Sequence, residues 1–168
     1  MIRTFTSFDE MFCSSAVKAF SFLTEEWNFQ FCGISHDELA DPRDRRTIVR
    51  YRGAQAFVDV ALTNIELGLF VYLWPVSSGT PNGPCWGLRQ TNVINFDHFL
   101  QTKFGDTIAP VFEKLKRPQY LTDMYNQQPG KYAKLMASRL PEAIEATAAR
   151  FKLFGWEALH DVETHRTR

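Results

Sequence analysis

The chain has no excess of either charge: 19 Lys and Arg balance 19 Asp and Glu, and the formal net charge is zero. A dedicated nucleic-acid-binding protein usually shows a basic excess, so the balance argues against nucleic acid as the main partner and leaves room only for a local patch. Cysteine is scarce, with Cys13, Cys32 and Cys85 at no CxxC spacing. An odd, unpatterned set reads as reduced thiols of a cytoplasmic protein, not as a disulfide framework. Long apolar runs are missing too. The opening MIRTFTSFDEMF lacks the apolar core of a signal peptide, and no window approaches the roughly 18 apolar residues of a membrane span. Catalytic signatures are absent as well. His36, His98, His160 and His165 form no HExxH, no serine sits in GxSxG, and Gly79 and Gly83 are followed by no Gly-Lys-Ser/Thr ending. No metal, cofactor or catalytic residue is therefore expected.

Strand pattern and aromatics are plentiful. The run Thr47 to Val76, TIVRYRGAQAFVDVALTNIELGLFVYLWPV, is the densest in strand-forming residues. Read two at a time, Ala54, Ala56, Val58, Val60 and Leu62 share one face, and Gln55, Phe57, Asp59 and Ala61 the other. The next run sets Leu67, Leu69, Val71 and Leu73 against Gly68, Phe70, Tyr72 and Trp74. A four-residue loop from Thr63 to Glu66 would pair Leu62 with Leu67, Val58 with Val71 and Ala56 with Leu73, so that the aliphatic faces coincide. A two-residue turn at Arg52-Gly53 or Gly53-Ala54 puts Val49 and Tyr51 on that same face and Ile48 and Arg50 on the second.

Helical patterns flank the strands. Ser7 with Glu10 fits a capping box, and Phe8, Met11, Phe12, Ala16, Ala19, Phe20, Leu23 and Trp27 recur at spacings of three and four. A helix is expected from Ser7 to about Asn28, followed by a short strand over Phe29 to Phe31. Cys13 and Cys32 read as buried small hydrophobes. Gly33 to Arg46, polar and containing Asp-Pro, reads as a loop, as does the Gly- and Pro-rich stretch Ser77 to Gly87. Asn95 can cap a helix through Phe96, Phe99, Leu100 and Phe104 that Gly105 closes, and Pro110 can begin a short one ending before Pro118. Tyr132, Leu135, Met136, Leu140, Ile144, Ala148, Phe151 and Phe154 keep one phase across Pro141. That predicts a kinked helix, or two abutting ones, closed by Gly155, then a tail whose last six residues fray.

The 168 residues therefore read as a single α+β domain, able to bury about 70% of its unfolded surface. Its expected parts are an N-terminal helix, an antiparallel β-meander of three to four strands, and C-terminal helices packed on the aliphatic face of the sheet.

The second face of the meander gathers Ile48, Arg50, Phe57, Asp59, Phe70, Tyr72 and Trp74. A carboxylate within a strand needs a counter-ion, and Arg50 on the neighbouring strand can supply it; the alternative role for Asp59 is a catalytic acid. Arg43, Arg45 and Arg46 extend the basic series, and Trp86 would stand out from the 77–87 loop. Aromatics beside arginine are enriched at protein interfaces. The expected partner-binding residues are thus Arg43, Arg45, Arg46, Arg50, Phe57, Asp59, Tyr72, Trp74 and Trp86. Two other uses stay open: a small-molecule or enzymatic pocket between this face and the 77–87 loop, and nucleic-acid binding through the arginines of 43–52. The face can also be a second core layer, covered by loops or helices.

AFSFLTEEWNFQF, TIVRYRGAQAFVDVAL and ELGLFVYLWPV, in that order, resemble small bacterial immunity-type and uncharacterised α+β proteins, which open with a helix ending in an aromatic-rich pattern and continue with "VRY" and "V-V" strands. The resemblance spans residues 16 to 76 and is one of hydrophobic pattern. It implies a cytoplasmic protein that binds and neutralises a cognate toxin, without chemistry of its own and without fixed functional residues.

Overall fold

The computed structural model describes residues 2–38, 45–63, 69–78, 93–105, 123–124 and 126–164. In chain order its elements are α1 (Ile2–Ala19), α2 (Phe22–Glu25), β1 (Gln30–Glu38), β2 (Arg45–Arg52), β3 (Ala56–Thr63), β4 (Leu69–Pro75), β5 (Ile94–Asn95), α3 (Phe96–Phe104) and α4 (Pro129–Thr164). The described strands form one antiparallel sheet in the order β1-β2-β3-β4-β5, and the arrangement is α+β.

The two faces of the meander are those that alternation predicts, although the β3–β4 hairpin is slipped by two residues and the β2–β3 hairpin by two or four from the two expected turns. Leu62 pairs with Leu69, Val58 with Leu73 and Ala56 with Pro75. Likewise Arg52 pairs with Phe57, and the Gly53 N–H donates to the Ala56 carbonyl at 2.8 Å. An even slip leaves every side chain on its face, whereas an odd one would invert the sheet. Gly53 has a packing reason as well: a Cβ there would lie 2.7 Å from the Phe29 ring.

The aliphatic face is the core. Val49, Tyr51, Val58, Val60, Leu62, Val71 and Leu73 are buried in one cluster with Phe12, Ala16 and Phe20 of α1, Phe22 and Leu23 of α2, Phe96 and Leu100 of α3, and Leu140, Ile144 and Phe151 of α4. Phe151 is its aromatic centre, with ring centroids 4.8 Å from Phe96, 5.9 Å from Trp27 and 6.1 Å from Phe20. A side-chain pin fixes α1 on the sheet: the Thr47 hydroxyl donates to Asp9 Oδ1 at 2.6 Å, and His36 Nδ1 lies 3.2 Å from the same hydroxyl.

Several boundaries differ from the sequence-based expectations. The helix α1 begins at Ile2, so Ser7 sits inside it, where the backbone N–H groups already have intrahelical partners. The helical region breaks between α1 and α2 and ends at Asn28, whose φ of 59° is the left-handed conformation expected there. The stretch from Gly33 is strand, not loop, as far as Glu38, and β2 starts at Arg45. Ile34, Ser35 and His36 are all exposed, so neither face of this part of β1 requires an apolar series, and a polar sequence gives no strand pattern. Cys32 is exposed rather than buried, at a bulge between Phe31 and Gly33 where Gly33 takes φ of 112°.

Asn95 caps α3 as expected, its side chain accepting from the N–H groups of Asp97 at 3.0 Å and His98 at 3.2 Å, and Gly105 ends it at φ of 73°. One helix, α4, spans Pro141, so the expected pair of abutting helices is a single element, and it continues through Gly155, where a stop is expected from sequence. Gly155 is not a terminator but a point of close approach, since a Cβ there would be 3.0 Å from the Phe151 ring. The region from Trp156 continues the helix and buries Ala158, Leu159 and Val162. The short helix expected from Pro110 and the final residues 165–168 lie outside the described residues.

Candidate protein-binding surface

On the second face of the sheet, register brings the expected residues together. Arg50 is directly opposite Asp59, and Phe57 opposite Trp74. Arg50 Nε donates to Asp59 Oδ1 and Nη2 to Oδ2, both at 2.7 Å, a fork-to-fork pair around a carboxylate that is fully buried. The guanidinium groups of Arg50 and Arg52 each lie 5.8 Å from the centroid of Phe57. Asp59 therefore has a structural counter-ion, as the strand-to-strand reading anticipates.

The face is not an open platform. Phe57, Trp74, Ile48, Ala61 and Arg46 are buried, while Tyr72 and Phe70 are half-buried and Arg50 is 16% exposed at its side chain. Buried side chains offer a partner no surface in this conformation. Arg45 opens β2 opposite Glu38 in register. Arg43 and Trp86, together with the 79–87 part of the Gly/Pro-rich loop, lie outside the described residues.

Exposed apolar surface lies elsewhere. On α4, Leu153 and Trp156 are 73% and 56% exposed and one helical turn apart. Trp156 stacks on Trp27 with centroids 4.6 Å apart, and Trp27 meets the edge of Phe22 at 5.1 Å. Beside them α2 and the middle of α4 enclose an open cleft of about 300 Å³. It is lined by Ala19, Phe22, Ala148 and Ala149 together with Glu25, Glu26, Glu145 and Lys152. Lys152 is already engaged, paired with Glu26 at 2.5 Å and with its ammonium 5.4 Å from the Phe22 centroid. Since 149, 152, 153 and 156 stand at i, i+3, i+4 and i+7, cleft and exposed shelf share one face of α4.

This strip escapes a sequence reading that stops the helix at Gly155. The available signal was the continued spacing of Trp156, Leu159 and Val162 at three residues. Chemistry has little foothold among the described residues. Burial, with the nearby Asp9 charge, pushes the Cys13 thiol up to about 11, so it is no nucleophile at neutral pH. No group of three or more His, Cys, Asp and Glu is placed to hold a metal among these residues, and no described helix is long and apolar enough to cross a membrane. No family model, curated protein or solved structure matches the chain.

Proposed function

We propose that this chain is a non-enzymatic protein-binding protein of the cytoplasm, and specifically an immunity-type protein that neutralises a cognate bacterial toxin. The observation that carries the reading is the exposed Trp156–Leu153 shelf running into the acidic cleft. Tryptophan is among the residues that dominate interface energetics, and its outlay of ordering entropy is small here because Trp27 already holds the ring. Three glutamates against one lysine at the rim suit a basic segment with flanking apolar residues. Among the described residues, Phe57 and Trp74 of the second face are buried, and no observation there favours a small-molecule pocket or a nucleic-acid surface.

The test is titration calorimetry against the product of the neighbouring gene, expected to give one partner per chain. Trp156→Ala should weaken binding by about 2 kcal/mol, roughly 30-fold. Glu25→Lys with Glu145→Lys, which turns a lining charge of about −2 into about +2, should slow association and invert its salt dependence. Unchanged affinity in Trp156→Ala would remove the cleft from consideration, and absence of any complex would remove the toxin-neutralising role.

A further inference from the structure

The cleft between α2 and α4 carries charge that the described fold does not use. Glu25 comes from α2 and Glu145 from α4, and both line it. The positions three and four residues either side of Glu145 are Pro141, Glu142, Ala148 and Ala149, so its own helix offers it no cation. Among the described residues, neither Glu25 nor Glu145 has a side-chain hydrogen bond or ion pair. The third carboxylate differs. Glu26 holds the ammonium of Lys152, which also lies 5.4 Å from the Phe22 ring centroid. The cleft therefore already binds one cation, between a carboxylate and an aromatic ring, and keeps two further carboxylates in its lining.

We infer that the cleft receives an arginine side chain of the protein partner, its guanidinium taken by Glu25 and Glu145. The inference rests on the protein-binding reading of this cleft and names what the partner must present. A volume of about 300 Å³ stands at the lower limit of small-molecule sites, which suits a single side chain. Three glutamates against one lysine in the lining select a cation. Two carboxylates from separate helices favour a planar fork of five donors over a compact ammonium. Phe22, Ala148 and Ala149 supply apolar surface for the methylene stem of that side chain.

The Trp156 shelf sets the next contact. Trp156 follows Ala149 by seven residues on one helix, about 10 Å along its axis. Three residues of extended chain also span about 10 Å, so an extended partner segment carries its apolar anchor three positions from the arginine.

NMR titration of the isotope-labelled full chain with two synthetic peptides tests this: acetyl-Arg-Ala-Ala-Phe-amide, and the same peptide with citrulline in place of arginine. Citrulline keeps the shape of the side chain and removes its charge. The arginine peptide should bind about 10-fold more tightly. Glu25→Gln with Glu145→Gln, both at exposed positions, should keep the far-UV circular dichroism of the parent and abolish that preference. Trp156→Ala should weaken both peptides alike and leave the preference intact. Equal affinity for the two peptides, no binding of either, or a preference that survives the glutamine pair overturns the inference. The result stands apart from the test of toxin neutralisation. Arginine selection without a complex with the neighbouring gene product removes that role and keeps this site, and a complex without arginine selection does the reverse.

Discussion

Arg50 and Asp59 show how a charge is tolerated inside this sheet. Asp59 has no exposed surface, and both its oxygens accept from one guanidinium. Removing one member of such a pair strands the other, which costs more than the pair itself contributes. Arg50→Ala should lower unfolding free energy by about 3 kcal/mol in urea titration, and Arg50→Met with Asp59→Leu should recover most of that loss. A catalytic Asp59 would predict the reverse priority, lost activity with stability retained. Tyr51 presents the opposite situation: its buried hydroxyl has no hydrogen-bond partner among the described residues. Burial pushes Tyr51 up to about 12 from an ordinary 10.0, and Cys13 up to about 11 from 9.0. Both groups hold their proton more tightly folded than unfolded, so their contribution is complete at neutral pH. It is lost as pH climbs from 9.0 to about 11 for Cys13 and from 10.0 to about 12 for Tyr51. Tyr51→Phe should raise stability at pH 7 by about 1 kcal/mol, and with Cys13→Ala should flatten the alkaline limb of a stability-against-pH curve.

At the scale of the element, α4 resolves a conflict between propensity and packing. Glycine within a helix costs about 1 kcal/mol relative to alanine, so Gly155→Ala would stabilise an isolated helix. Here the added Cβ meets the Phe151 ring at 3.0 Å, and that ring is fully buried and flanked by Phe20, Trp27 and Phe96. Overpacking of this kind costs about 1–3 kcal/mol and outweighs the propensity gain. Gly155→Ala should thus be net destabilising by about 1 kcal/mol in thermal or urea unfolding. From sequence the same glycine reads as a stop, because its packing partner is not an element but a single ring one turn back. The strand β1 was obscured for a related reason. Its identity depends on pairing with β2, and its exposed outer side leaves no alternation in GISHDE to see.

At the scale of the whole molecule, the α2–α4 cleft with its Trp156 shelf joins exposed apolar side chains to an acidic lining. The second face of the sheet, by contrast, contributes a covered layer in which Phe57 and Trp74 are buried beside the Arg50–Asp59 pair.

Alternation with period two is a local property, written into consecutive residues. It is enough to assign Val49 to Leu73 to an aliphatic and an aromatic face, and that assignment withstood an even slip in each hairpin. The cap at Asn95 and the left-handed Asn28 are equally local and equally legible. Whether a face or an edge meets water depends instead on what the rest of the chain packs against it, and no short window carries that information. The covering of Phe57 and Trp74, the exposure of Phe31 and Ile34, and the emergence of Trp156 beside a cleft lined by Ala148 and Ala149 were decided only when the elements came together.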